Sequence, residues 1–388
     1  MKTLYLHIGT PKTATSSIQK FLTDNSENLE KKGYCFPPSQ YTYPKVNPRR
    51  NGHFLIAKVR DENGKKDVEK EQWYWDEGMK QVREKFKKFD QVILSDESIW
   101  YCLSYRKKSV LRDLQKEAQK DHFQIKVIVY LRRQDDFLLS RWNQFIKQNM
   151  SYVAKLTCDE YFNEGYKKEE KLFEYDRKLD EIAEVIGKEN LIVRRFEPKV
   201  WHNGSIIYDF MHEIGLDAED GFGPLDETVN LRLGKNETEM KRLINLNPDF
   251  DAKQIAYMGN FLREISKNEK EKEPASMLSK EEVQQFLKKY ADGNKRVAEE
   301  YIGDGAPAFS ETVEDLPKWS PHNDAMPQDA FRFFTAVIAD IYRENEEQKT
   351  EIRELKKEVE SLKMFRDKIK HPSKIILNKL TQKGCKEE

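Results

Sequence analysis

Leu4-Tyr5-Leu6-His7-Ile8-Gly9-Thr10-Pro11-Lys12-Thr13-Ala14-Thr15-Ser16-Ser17 is the stretch from which the fold can be read. Leu4, Leu6 and Ile8 alternate with Tyr5 and His7, the period-two pattern of a strand, and the run stops at Gly9-Thr10-Pro11. From Ser17 to Leu22 the apolar spacing is that of a helix. The chain therefore passes from a strand through a short polar loop into a helix. Such a loop presents backbone N–H groups at the positive end of a helix dipole, which suits a phosphate-like anion. Gly9 and Ala14 keep the backbone approachable, Thr13, Thr15, Ser16 and Ser17 add hydroxyls, and Lys12 adds a mobile full charge. Ser and Thr are also the preferred helix N-caps, so the plainer reading is a helix start and nothing more. A cap needs one hydroxyl, whereas here four accompany a lysine.

The same alternation of strand and helix continues outward. Gln91-Val92-Ile93-Leu94 reads as a buried strand that ends at Ser95-Asp96-Glu97, after a charged helix expected over residues 76–89. Residues 125–131 form a third apolar run that meets Arg132-Arg133 and a helix over 135–148, and Asn190-Leu191-Ile192-Val193 leads to Arg194-Arg195-Phe196-Glu197. This is the pattern of an α/β protein with a P-loop-like parallel β-sheet flanked by helices, whose ligands gather at the carboxyl ends of the strands. Residues 41–51 and the lysine-rich stretch 63–70 read as loops that shape a second substrate's site. Residues 235–301 form a charged helical annex, and 303–321 a loop punctuated by Pro307, Pro317 and Pro321. From Pro327 a long helix follows, in which Ile341, Asn345, Gln348, Ile352, Leu355, Val359 and Leu362 recur at alternating spacings of four and three. That is a short coiled-coil seam, with Asn345 fixing the register of a homodimer. A single amphipathic helix packed on its own domain is the alternative, because two of these seven positions are polar.

Composition narrows the function classes. With 388 residues and 38% hydrophobic content the chain has room for a sizeable core, and 68 basic against 68 acidic residues give no overall field to draw in nucleic acid. Any anion site must be local. The N-terminal apolar run is too short for a signal peptide, and no stretch approaches the roughly 20 apolar residues of a bilayer span. Cys35, Cys102, Cys158 and Cys385 stand far apart, without the spacing of a zinc site or a disulfide framework. The expectation is a cytoplasmic protein.

The ATP/GTP signature GxxxxGK[ST] is absent, since Lys12 precedes the hydroxyl run and no glycine stands at the right place before it. Instead Pro11-Lys12-Thr13-Ala14-Thr15-Ser16-Ser17 resembles the 5′-phosphosulfate loop of sulfotransferases that use 3′-phosphoadenosine 5′-phosphosulfate, usually PKSGTT or PKTGTT. Ala14 replaces the usual glycine, and a small side chain would follow a backbone that stays at negative φ. Arg132 and Ser140 repeat a second family spacing, an arginine after the strand and a serine eight residues later. In the family this pair holds the donor's 3′-phosphate. Arg133 stands ready to share that load, and a surface pairing of both arginines with Asp135 and Asp136 is the plainer alternative. The resemblance spans the pattern of residues 3–320 and is nearest to bacterial carbohydrate-modifying members.

The resemblance implies a sulfuryl transfer from 3′-phosphoadenosine 5′-phosphosulfate to a hydroxyl of a carbohydrate or glycolipid, with no metal. The donor would be held by Lys12, Thr13, Ala14, Thr15, Ser16, Ser17, Arg132 and Ser140, with Lys12 stabilising the leaving group. The resemblance implies a sulfotransferase domain over 1–325, which includes the annex at about 235–320, followed by a helix or coiled coil over 326–370 and a basic tail over 371–388. The tail's isoleucines and lysines would suit contact with an anionic membrane surface at the inner face. A base must take the acceptor proton. Glu97, on the same rim as Lys12, is the first candidate, and His53, which begins an apolar helix after a polar loop, is the second. His7, inside the first strand, reads as a packed core residue. Arg194 and Arg195 either contact a ligand or pair with Glu197. Two other functions stay open: a magnesium-dependent P-loop kinase, and a noncatalytic scaffold built on the coiled coil.

Overall fold

The computed structural model describes residues 1–44, 46–105, 109–217, 221–223, 233–268 and 274–370, so the basic tail over 371–388, with Cys385, lies outside the described residues. β1 (Thr3–His7), β2 (Tyr34–Cys35), β3 (Gln91–Ser95), β4 (Gln124–Leu131) and β5 (Leu191–Arg195) form one sheet in the order β2-β3-β1-β4-β5. Every neighbouring pair is parallel. The expected α/β architecture is the observed one.

Alternation along the strands serves two faces. Leu4, Leu6, Val92, Leu94, Val127 and Val129 point into one apolar cluster, which helices Val68–Phe86, Gln134–Gln148 and Tyr175–Ile186 complete. Tyr5, Ile93, Ile128 and Tyr130 point the other way, onto Ile18, Phe21 and Leu22 of helix Thr15–Asp24 and onto Phe210 and Met211 of helix Ile206–Glu213. With both faces covered, chemistry is left to the strand ends. The chain leaves β1 toward the β3 side of the sheet and leaves β4 toward β5, so the winding reverses between these adjacent strands. A crevice at such a reversal is where open parallel sheets bind ligands.

Three boundaries differ from expectation. Helix Val68–Phe86 starts earlier than residue 76, because the Asp67 side chain accepts from the Lys70 N–H at 2.8 Å and caps it there. β5 runs on to Arg195, and His53 opens a three-residue 3-10 turn, His53–Leu55, in place of a longer helix.

The annex packs in two parts. Helices Lys235–Leu246 and Ala252–Asn268 share a small apolar cluster with Phe333 of the C-terminal helix, Met326–Lys370. Helix Lys280–Lys288 sends Val283 and Phe286 into the main core. Among the described residues no helix is long and apolar enough to cross a membrane.

Candidate active site

Strand pairing continues past the end of β1 and pins the loop. Ile8 N–H donates to the Ile128 carbonyl at 3.1 Å, Tyr130 N–H to Gly9 at 2.6 Å, and Thr10 N–H and Oγ1 to Tyr130 at 2.9 and 3.1 Å. Thr13 Oγ1 donates back to the Thr10 carbonyl at 2.5 Å. Its hydroxyl, expected as a donor-binding group, thus tightens the loop from within. Helix Thr15–Asp24 has no side-chain cap, and its first bonds are Ser17 and Ile18 N–H to the Ala14 carbonyl at 2.9 and 3.1 Å. The hydroxyl cluster is therefore not a capping device, and the uncapped helix head faces the loop.

Besides Gly9 at φ 98°, two non-glycine residues of this loop hold left-handed backbone, Lys12 at φ 71° and Ala14 at φ 56°. The expectation that Ala14 stays at negative φ is corrected. The loop keeps the conformation that glycine would adopt without strain and bears a methyl group in spite of it.

The second motif reaches the first. Arg132 Nη1 donates to the Lys12 carbonyl at 3.2 Å, and Arg132 Nη2 lies 3.8 Å from Asp136 Oδ1. Asp136 stands one turn before Ser140 on the same face of helix Gln134–Gln148, and the Ser140 Oγ is buried with no hydrogen-bond partner among the described residues. A buried hydroxyl without a partner invites a ligand or a water. Arg133 turns away: it forks onto Asp135 at 2.8 Å and donates to the Ser310 and Thr312 carbonyls at 3.1 and 2.8 Å. Both arginines thus meet the expected aspartates, Arg133 at Asp135 and Arg132 more loosely at Asp136, and Arg132 alone also reaches the loop.

At the end of β3 a polar cluster adjoins Gly9. A Cβ on Gly9 would stand 3.1 Å from the Glu97 Cβ, which shows how closely Glu97 abuts the loop. The Glu97 Oε2 accepts from Gln19 Nε2 at 3.3 Å and lies 3.6 Å from Arg50 Nε. Asp96 is fully buried and accepts from Arg50 through Nε at 3.2 Å and Nη2 at 2.5 Å, from the Ser98 N–H at 2.7 Å, and from His53 Nδ1 at 2.8 Å. Burial works against the Arg50 charge, but the Asp96 and Glu97 carboxylates outweigh it and raise its pKa. Because Asp96 occupies Nδ1, the His53 imidazole carries its other lone pair or proton on Nε2.

Beside His53 lies a group of half-exposed rings. Tyr43 meets the imidazole at 4.7 Å and Tyr74 at 5.0 Å, Tyr41 meets Trp73 at 4.9 Å, and the Lys70 ammonium sits 4.0 Å over Trp73. Burial, then Tyr74, Tyr41 and Asp96, raises the Tyr43 phenol's pKa.

Other candidates are structural. His7 is fully buried, bonds Ser95 Oγ at 2.9 Å through Nδ1, and is lowered to a pKa of about 3 by burial. Arg194 forks onto Asp209 at 2.5 and 3.1 Å, and Arg195 onto Asp304 at 2.5 and 2.8 Å, so neither pairs with Glu197 or faces the loop as a free cation. His202, His212 and Asp217 bring ligand atoms within 4.8 Å of one another on the surface. The two imidazoles stack with 7° between their planes, so their lone pairs cannot converge on one ion without rotation. Arg50, Asp96 and Gln19 were not expected at the site, and only the polar end Ser95-Asp96-Glu97 signalled any of them.

No protein-family model matches the chain. An uncharacterized protein of Archaeoglobus fulgidus is 27% identical over 183 residues, 46% of this chain and 46% of that protein, so the match spans about half the relative's length. The crystal structure of a sulfotransferase from Alicyclobacillus acidocaldarius is similar at 16% identity, with 58% of this chain and 84% of that chain covered and a TM-score of 0.36.

Proposed function

We propose that the protein transfers a sulfuryl group from 3′-phosphoadenosine 5′-phosphosulfate to a hydroxyl of a carbohydrate or glycolipid. The observation that carries this reading is the hydrogen bond from Arg132 to the Lys12 carbonyl, which joins two motifs 120 residues apart into one cradle. The donor supplies an activated sulfuryl group whose bridging oxygen gains negative charge on transfer. The uncapped helix head and the amides of the left-handed loop suit its 5′-phosphate. Lys12 can follow the bridging oxygen as its charge grows. Arg132 offers a fork to the 3′-phosphate, and Ser140 an Oγ that has no partner of its own among the described residues.

On the acceptor side His53 is better supported as the base than Glu97. With Asp96 holding Nδ1–H, Nε2 accepts the acceptor hydroxyl's proton while the oxygen forms its bond to sulfur. Glu97 has its Oε2 directed to Gln19 and Arg50. Tyr41, Tyr43, Trp73 and Tyr74 supply flat apolar faces on which the C–H face of a sugar ring can pack, which supports a carbohydrate acceptor. A magnesium-dependent kinase is less well supported, because the carboxylate at the end of the neighbouring strand, Asp96, is committed to Arg50, His53 and Ser98.

Calorimetric titration tests the reading. The wild type should bind 3′-phosphoadenosine 5′-phosphate without magnesium, and Lys12→Ala and Arg132→Ala should each weaken binding by about ten- to a hundredfold, the scale of one charge-assisted contact. Binding of ATP with magnesium in its place would establish the kinase, and binding of neither would leave the scaffold.

A further inference from the structure

The C-terminal helix, Met326–Lys370, packs on the annex through its N-terminal part and continues well beyond it. Phe333 is buried, and the Asp340 carboxylate accepts from the Tyr257 hydroxyl at 2.7 Å. Residues 341–366 are exposed apart from Glu346. One line along this portion is apolar and, among the described residues, uncovered: Ile341, Ile352, Leu355, Val359 and Leu362 are 49% to 66% exposed.

The pattern along that line specifies what covers it. In heptad terms Ile338, Asn345, Ile352 and Val359 fall at a, and Ile341, Gln348, Leu355 and Leu362 at d. β-branched residues at three a positions with leucine at the two C-terminal d positions, and a single asparagine at an a position, favour two parallel strands in one register. The flanking charges make the same choice independently. Glu344, Glu351 and Glu358 stand at g, and Lys349, Lys356 and Lys363 stand at e, each five residues after a glutamate. In a parallel, in-register pair each g residue meets the e residue five positions on in the other strand, so all six contacts join Glu to Lys. In an antiparallel pair g faces g and e faces e, which sets Glu against Glu and Lys against Lys.

We propose that a second copy of this chain covers the face in a parallel, in-register, two-stranded coiled coil. The seam runs from Ile338 to Leu362, about 36 Å of helix at 1.5 Å per residue.

Sedimentation equilibrium of the full chain should show a dimer. Lys349→Glu, Lys356→Glu and Lys363→Glu together should weaken it by roughly a hundredfold, as six attractions become repulsions. Adding Glu344→Lys, Glu351→Lys and Glu358→Lys to that chain should restore it. Ile341→Cys and Leu362→Cys, made separately with Cys385→Ser, should each oxidise to a covalent dimer, because an antiparallel pair can align only one such position with itself. A monomeric or higher-order wild type overturns the proposal. Dimer affinity that ignores the charge changes overturns it too, as does cross-linking at only one of the two cysteines.

Discussion

Ala14 shows how much of the loop's geometry rests on backbone. Its φ of 56° lies in the left-handed region, where a Cβ costs about 1–2 kcal/mol, while glycine's extra freedom in the unfolded chain costs about 0.5–1 kcal/mol. Ala14→Gly should therefore raise stability by about 0.5–1 kcal/mol in urea unfolding. A lower stability would mean that the loop does not hold this conformation. The residue types of the loop were readable from Pro11 to Ser17, but its torsions were not, since the same letters suit a helix start with negative φ. Arg50 was illegible for a different reason. It reaches Asp96 across 46 residues, and no local periodicity marks such a pairing. Arg194 and Arg195 misled in the opposite sense. Charge at a strand's end resembles a ligand site until the partners Asp209 and Asp304 are seen, 15 and 109 residues away.

Among the elements, helix Val68–Phe86 sets the position of the candidate base. Gly78 on this helix is where the Phe54 ring seats: a Cβ there would fall 2.2 Å from Phe54 Cδ2 and 2.4 Å from its Cγ. Phe54 belongs to the same 3-10 turn as His53, so the glycine holds the turn at its working height. Gly78→Ala gains about 1 kcal/mol of helix propensity but overpacks the contact by about 1–3 kcal/mol. The expected result is stability lower by about 1 kcal/mol and kcat lower by about ten- to a hundredfold, from a displaced imidazole, with affinity for the bisphosphate nucleotide unchanged within about twofold. Unchanged kcat would remove His53 from the chemistry. The strands themselves were legible because each has a clear apolar run, and β4 matches its reading to within one residue. The start of this helix was not, because Val68 to Trp75 is crowded with charges and large rings, and the deciding signal was one capping aspartate.

At the scale of the whole molecule, the buried imidazole of His7 ties folding to pH. Burial lowers its pKa to about 3, whereas an unfolded histidine titrates near 6.5. Between these values the unfolded chain binds one more proton than the folded one, so stability falls as pH falls through that window. From pH 7 to pH 5 the loss from this residue is about 2 kcal/mol. His7→Asn, which keeps a polar atom toward Ser95, should lose correspondingly less stability over the same range in denaturant unfolding. Equal slopes for both proteins would mean that His7 reaches solvent.

The C-terminal helix spans 45 residues, about 68 Å. In the paired state proposed above, both candidate clefts ride at the same end of one shared rod. A repeating polymer that leaves one cleft then remains tethered near the other, at an effective concentration on the order of millimolar whatever its concentration in bulk. Turnover on long acceptors would then gain from avidity, and turnover on a single-site acceptor would not.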